Sequence, residues 1–351
     1  MNVCFRANGG GAGIGLGHLS RCIAIADAFR ELGADCFFVS KAYKAGISFI
    51  KESGYVVYPL SPSLVGEDDL KASLEYMREV DVIIADSYEF DTKYLAGLSK
   101  TGTIVAAMDD KIDLDLPVDY VIGNIYSTID SYGDRLSKRA VLLAGPENYP
   151  LRKRFQHLPS HRIHDHVNEL LVTMGGEDPM NVTESVVEAV SEYREEIILH
   201  ILIGAAYAHG EELFNKLRTM RQRFVIHKNI KNPEDLVALF QKIDLAITAM
   251  GITFLELAAT GVPMVLVQTA DNQIHVSEFA GKKGLGIVLS NKKESIKSEL
   301  IKALRLLEDK QTRAEYSRNC QGLIDGRGAS RMAETIFNEF TNRRKKYADG
   351  L

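Results

Sequence analysis

The sequence predicts an α/β chain built of two units, each a parallel sheet covered by helices. Three observations carry that expectation. Short β-type runs alternate with helical patterns from end to end, which calls for right-handed crossovers and hence parallel strands. The alternation runs through twice, with a polar, histidine-rich stretch between the halves. The length of 351 residues also exceeds the size at which one hydrophobic core stops growing.

In the first half, strands are expected at 3–6, 36–40, 82–86, 104–108 and 120–122, with helices at 18–32 and 91–98 among them. In the second, strands at 170–174, 197–203, 224–226, 245–248 and 264–267 alternate with helices at 182–192, 233–243 and 253–260. Residues 152–166 (RKRFQHLPSHRIHDH) hold Pro159 and the histidines His157, His161, His164 and His166. No cysteine joins them, so a solvated connector is favoured over a metal site. The expected division is a first domain over 1–151, a linker over 152–168, a second domain over 169–330 and a helix over 331–351 that crosses back to the first domain.

Composition narrows the function classes. The chain is 46% hydrophobic and 25% charged, as globular proteins are. A net charge of −5 argues against a nucleic-acid binder that lives on phosphate neutralisation. Nucleotide-sized anions stay within reach of a few oriented backbone N–H groups. Cys4, Cys22, Cys36 and Cys320 are scattered without a C-x-x-C pair, which suits buried thiols in a reducing cytoplasm. Residues 1–6 run straight into an apolar strand without a signal peptide's basic start. No run approaches the roughly 18 apolar residues of a membrane span.

The clearest feature is RANGGGAGIGLGHLSRC, residues 6–22, where a strand gives way to a glycine-dense loop and then a helix. Such a loop brings a helix start to the carboxyl edge of a parallel sheet, the usual ligand position. Two phosphate motifs can be tested and rejected. After Gly13 and Gly15 the third glycine of G-x-G-x-x-G is replaced by His18, and the second strand ends in Ser40 and Lys41 rather than an acid. No G-x-x-x-x-G-K-[ST] occurs, since Gly281, Lys282 and Lys283 lack the hydroxyl residue. Dehydrogenases and P-loop NTPases drop out. What remains is a histidine at a helix start, where the positive dipole end favours a neutral ring able to act as base. The plain alternative is a capping or packing role.

In the second half Thr173 and Met174 lead into Gly175, Gly176, Glu177, Asp178 and Pro179. Asp178 is placed to cap a helix that would begin at Pro179. Gly251, Ile252 and Thr253 repeat the strand–loop–helix theme and would offer N–H groups and a hydroxyl to a pyrophosphate. Glu256, three residues on, could accept from two ribose hydroxyls, or could complete a capping box with Thr253. Asn272 and Gln273 carry amides suited to sugar hydroxyls, or simply begin a helix.

Together these pieces resemble the nucleotide-sugar hydrolase family of pseudaminic acid biosynthesis. The resemblance lies in Arg6, Asn8, Ile14, Gly15, Gly17, His18, Arg21 and Cys22, then Asp86, Ser87 and Tyr88, then Met174 to Asn181. It continues through Gly251 to Glu256, Ala270 to Gln273, and Asp325 to Gly328, in order along nearly the whole chain. Chains of the spore-coat polysaccharide type share the pattern. The resemblance implies a GT-B-like fold, two Rossmann-like domains facing across a cleft. It implies that His18 activates a water, which attacks the anomeric carbon of UDP-2,4-diacetamido-2,4,6-trideoxy-β-L-altropyranose with inversion and C–O cleavage. Asn8, Gly15, Gly17, Asp86, Tyr88, Asn272 and Gln273 would then bind the sugar. Gly175, Gly176, Asp178, Gly251, Ile252, Thr253 and Glu256 would bind the nucleotide. No metal or cofactor is implied; helix starts and N–H groups stabilise the leaving diphosphate instead. The sequence departs from the family in having Asn8 for Asp, extra glycines at Gly9, Gly10 and Gly11, and Glu177 for Thr. Two other readings stay open: an inverting GT-B glycosyltransferase, in which an acceptor hydroxyl replaces water, and a non-catalytic sugar-nucleotide binder.

Overall fold

The computed structural model describes the chain except residues 12–13, 113–114, 177, 205–206, 229, 231, 290–292 and 349–351. Gly13 and Glu177 therefore lie outside the described residues, as does the side chain of Asn272. Packing divides the chain into two compact units, Met1–Lys153 with Gly326–Leu351, and Arg154–Asp325.

The first unit holds strands β1 (Asn2–Ala7), β2 (Asp35–Lys41), β3 (Val56–Leu60), β4 (Val82–Asp86), β5 (Ile104–Asp109), β6 (Tyr120–Gly123) and β7 (Val141–Leu143). They form a parallel sheet of order β3-β2-β1-β4-β5-β6-β7. The second unit holds β8 (Glu169–Thr173), β9 (Ile198–Ile203), β10 (Arg223–Lys228), β11 (Leu245–Ala249), β12 (Met264–Val267) and β13 (Ile287–Leu289). Their order is β10-β9-β8-β11-β12-β13, again parallel. In each sheet the order reverses beside the first strand, between β1 and β4 and between β8 and β11. Ligands of doubly wound sheets bind at the carboxyl ends of such a pair, where crossovers depart to opposite faces and leave a crevice. Every glycine loop singled out in the sequence leaves one of these four strands.

The central strands form because their runs are apolar on both faces: β4 and β11 are buried throughout. The edge strands β3, β7 and β13 escape sequence patterning. They are short, and β3 carries an exposed Val56 and Tyr58 and a proline.

The C-terminal helix Gly328–Ala348 belongs to the first unit. It packs on the helix Gly17–Glu31, and its Ala329, Met332, Ala333 and Ile336 share one core with Val3, Phe5 and Leu19. The histidine-rich stretch is not the solvated connector its composition suggested. From Arg154 onward it counts with the second unit. His161 Nε2 lies 3.0 Å from the Ile243 carbonyl and His164 Nδ1 2.7 Å from Asp244, while Phe155 is buried beside Phe240. Polar composition was misleading for His161 and His164, whose imidazoles find partners on the unit they cover, while His157 and His166 are exposed. Among the described residues no helix is long and apolar enough to cross a membrane.

Candidate active site

At the carboxyl ends of β1 and β4 the chain assembles a closed circuit of polar side chains. Register places Ala7 beside Asp86, the last residue of β4. The helix Gly17–Glu31 follows the glycine loop and buries Leu19, Cys22, Ile23, Ile25 and Phe29 against the sheet. With that face fixed, His18 and Arg21, three residues apart, stand together over Asp86. His18 Nδ1 lies 2.6 Å from Asp86 Oδ1. Arg21 grips the same carboxylate with both arms of its fork, Nε to Oδ2 and Nη2 to Oδ1, each at 2.7 Å. Its remaining nitrogen, Nη1, donates to Asp110 Oδ1 at 2.8 Å. Asp110 Oδ2 accepts from the Tyr88 hydroxyl at 3.1 Å, and the Tyr88 ring meets the His18 ring edge-on at 4.6 Å. Lys111 Nζ sits 4.7 Å over the Tyr88 ring.

The electrostatics decide which atom can react. Burial pushes the Asp86 carboxyl up, but the Arg21 and His18 charges and hydrogen bonds outweigh it and hold the group well below the usual carboxylate range. Ionised Asp86 can only accept, so His18 Nδ1 presents its N–H to the carboxylate, and Nε2 is the ring nitrogen that Asp86 does not engage. Burial also works against the Arg21 charge, and Asp110 and Asp86 more than restore it. Cys22, beside Asp86, has its thiol raised well above the ordinary value by burial and then by that carboxylate, so it is no nucleophile. Burial and Asp110 likewise keep the Tyr88 phenol protonated.

The glycine loop owes its composition to packing as much as to ligand approach. Gly10 has φ +74°, and a side chain there would meet Gly46 N at 2.4 Å; one on Gly46 would meet the Gly9 carbonyl at 2.1 Å. The extra glycines thus let the loop lie flat on the start of the helix Lys44–Glu52. A side chain placed on Gly15, by contrast, would meet nothing of the chain within 4 Å.

Asn8, expected to touch the sugar, is turned into the fold. Its Oδ1 accepts from Arg6 Nη1 at 2.7 Å and Lys41 N at 3.1 Å, and its Nδ2 donates to Ser87 Oγ at 3.3 Å and Glu89 Oε2 at 2.9 Å. All four hydrogen-bonding positions of the amide are taken. The same bonds account for the departure from Asp, because a carboxylate here would face Glu89. Lys41 Nζ closes on Glu89 Oε2 at 2.7 Å.

The second unit builds its site differently. Gly175 (φ +91°) and Gly176 follow β8, and Gly251 follows β11; nothing of the chain lies within 4 Å of a side chain placed on any of the three. The helix Ile252–Thr260 starts after Gly251 without a side-chain cap, so its first N–H groups face outward from the helix end. Thr253 is the second helical residue rather than the cap, so the Thr253–Glu256 capping box is not formed. Glu256 is buried on that helix. Asp178 does cap a helix, but the one beginning at Val182 rather than Pro179. Its Oδ1 accepts from Val182 N at 2.9 Å and Oδ2 from Thr183 N at 2.8 Å. Gln273 turns its carbonyl oxygen inward, accepting from Thr269 N at 2.8 Å.

Two members of the first circuit were not among the expected site residues, Arg21 and Asp110. The H-x-x-R spacing and the acidic end of β5 (Asp109, Asp110) were the available signals.

No family model matches the chain. An uncharacterised protein of Methanocaldococcus jannaschii is 23% identical over 270 residues, 74% of this chain and 54% of that protein, so the chain spans about half of its length. The spore coat polysaccharide biosynthesis protein SpsG of Bacillus subtilis is 22% identical over 334 residues, covering 93% of this chain and 95% of SpsG. Among solved structures, MurG of Acinetobacter baumannii aligns with a TM-score of 0.68 at 15% identity, over 96% of this chain and 99% of MurG. Anabaena HepE, solved in complex with UDP-glucose, aligns with a TM-score of 0.62 at 14% identity, over 97% and 100%. The fold is that of the GT-B glycosyltransferases, two parallel-sheet α/β domains.

Proposed function

We propose that the chain cleaves the anomeric C–O bond of a UDP-activated sugar, with His18 as general base and water as the nucleophile. The observation that carries this is the 2.6 Å bond between His18 Nδ1 and buried, ionised Asp86, which leaves Nε2 to take a proton. Water gives that proton to Nε2 as its oxygen attacks the anomeric carbon. The bond to the diphosphate breaks on the opposite face, its electron pair leaves with UDP, and the configuration inverts. Asp86 holds the ring and stabilises the imidazolium that forms, without itself taking the proton. The first unit thus supplies the base. The second supplies the nucleotide contacts: the N–H groups after Gly251 and the Thr253 hydroxyl for the diphosphate, Glu256 for the ribose, and Gly175 and Gly176 for close approach. Gly15, Gly17, Tyr88, Asn272 and Gln273 would contact the sugar. No metal enters this scheme. The substrate we favour is a deoxy-diacetamido sugar destined for nonulosonic acid or surface polysaccharide. The likeness to SpsG, a spore coat polysaccharide biosynthesis protein, supports that class.

A second scheme puts an acceptor hydroxyl in place of water, which makes the chain an inverting glycosyltransferase. The GT-B neighbours fit this scheme better than hydrolysis. The two separate in one experiment: incubate the protein with a panel of UDP- and CMP-sugars without acceptor, and follow nucleotide release. Release without acceptor, unaffected by EDTA, is the expected result. Release only on adding a hydroxyl acceptor establishes the transferase, and tight binding with no release under either condition leaves a non-catalytic binder.

A further inference from the structure

We propose that Arg21 is a positioning residue that tunes the basicity of His18, acting as a fixed cation between Asp86 and Asp110. The inference rests on His18 being the base of the proposed reaction, but its test does not.

A carboxylate that orients a catalytic imidazole has a side effect. Buried and 2.6 Å away, Asp86 stabilises the imidazolium as well as the ring's orientation. An unopposed carboxylate of this kind raises a neighbour's basicity by roughly one to three pH units. A histidine so trapped would hold its proton at neutral pH and could accept none. Arg21 supplies the opposing charge at the right place. Its Nη2 lies 3.1 Å from His18 Nδ1 while donating to Asp86 Oδ1. Since Nδ1 already carries a proton, that approach is cation to N–H, a contact that weakens further protonation of the ring. The guanidinium stays charged at every working pH, so the opposition does not fade as conditions change. Its fork also fixes both Asp86 oxygens, so that Oδ1 stays aimed at Nδ1.

Asp110 completes the device. It takes the third arm of Arg21 at 2.8 Å and is the more exposed partner, with a side chain 16% accessible against 1% for Asp86. It therefore draws part of the cation's field away from His18 toward the rim. The other ionisable groups near the ring are Tyr88 edge-on, Lys111 over Tyr88, and Cys22 and Tyr149 beside the ion cluster. Burial pushes the Cys22, Tyr88 and Tyr149 groups up and keeps them neutral. The balance at His18 therefore lies between Asp86 and Asp110 on one side and Arg21 and Lys111 on the other.

A merely structural arginine, its charge spent on the two carboxylates, would make the same bonds but would leave the His18 midpoint unmoved when it is replaced. Losing the cation, Arg21→Met, should raise the protonation midpoint of the His18 ring by about one pH unit. Losing the competing anion, Asp110→Asn, should lower the midpoint by a smaller amount, since the amide still accepts from Arg21 while the cation acts on His18 alone. Arg21→Lys keeps the charge and loses the fork; it should leave the midpoint near wild type and reduce kcat. The midpoint is read in the full-length, substrate-free protein by NMR titration of isotope-labelled histidine, with the His18→Ala spectrum assigning the signal. Wherever turnover is measurable, the acidic limb of kcat/KM should move with the NMR midpoint. Coincident wild-type and Arg21→Met titrations in folded protein overturn the proposal, as does an Asp110→Asn shift in the same direction as Arg21→Met. Should Arg21→Met fail to fold, the milder Arg21→Gln replaces it, and a midpoint unmoved from wild type there overturns the proposal. If the shifts appear but no nucleotide is released from any sugar, the tuning stands and the hydrolytic reaction falls.

Discussion

The two units share a strand order and a switch point, yet they furnish them with opposite kinds of chemistry. In the first, polar side chains close on one another: His18, Asp86, Arg21, Asp110 and Tyr88 form a ring in which each holds the next. In the second, the polar groups are main-chain N–H donors at an uncapped helix start, flanked by glycines that leave space. A proton-transfer site needs a fixed tautomer and a defined charge, which takes side chains locked by partners. An anion cradle needs N–H groups and room for the ligand, which takes the absence of side chains. Topology puts the two sets of groups at the same place in each sheet, and under the proposed function they divide the work.

Four changes test that division. The largest effect should come from Asp86→Ala. It leaves a buried guanidinium with Asp110 as its remaining carboxylate and should cost about 3 kcal/mol of stability in urea denaturation, in the range seen when one partner of a buried pair is removed. Because the Asp86 carboxyl is depressed in the folded state, the stability it contributes is complete above the ordinary aspartate range and fades as pH falls below about 4. Asp86→Ala should flatten that acid limb; an unchanged limb would mean that Asp86 is not the ionised anchor. His18→Ala should lower kcat at least about a hundredfold while UDP affinity by calorimetry stays constant. Parallel loss of UDP affinity would break the division between units. Glu256→Ala should weaken UDP about tenfold, the scale of one charged hydrogen bond, and unchanged binding would leave the ribose without its partner. The smallest change in stability should be that of Gly176→Ala, within about 0.5 kcal/mol, because nothing of the chain lies near the added methyl. UDP affinity should nevertheless fall. If binding survives, the open glycine serves no ligand.

Much of this was legible in the chain. The central strands declared themselves by continuous apolar runs, and glycines at strand ends marked both switch points. The glycine loop marked His18 as a residue at a helix start. Other features were not legible. A capping box at Thr253 and Glu256 was consistent with the local pattern, yet the helix takes Gly251 as its cap. Asp178 read as a cap one residue before its helix, and it caps from four residues away, through a turn with Asn181 left-handed. Asn8 looked like a ligand-facing amide, but its four partners come from β1, β2 and the loop after β4.

Periodicity and glycine placement are local properties of the polymer, and by themselves they determined the α/β class, the doubling and the loops that matter. Which polar atom meets which was decided only when strands distant in sequence came into register. A hydrogen bond to Asp86 or Asp110 depends on ångström-scale placement of groups more than sixty residues from His18 and Arg21. Neither composition nor spacing along the chain encodes that separation.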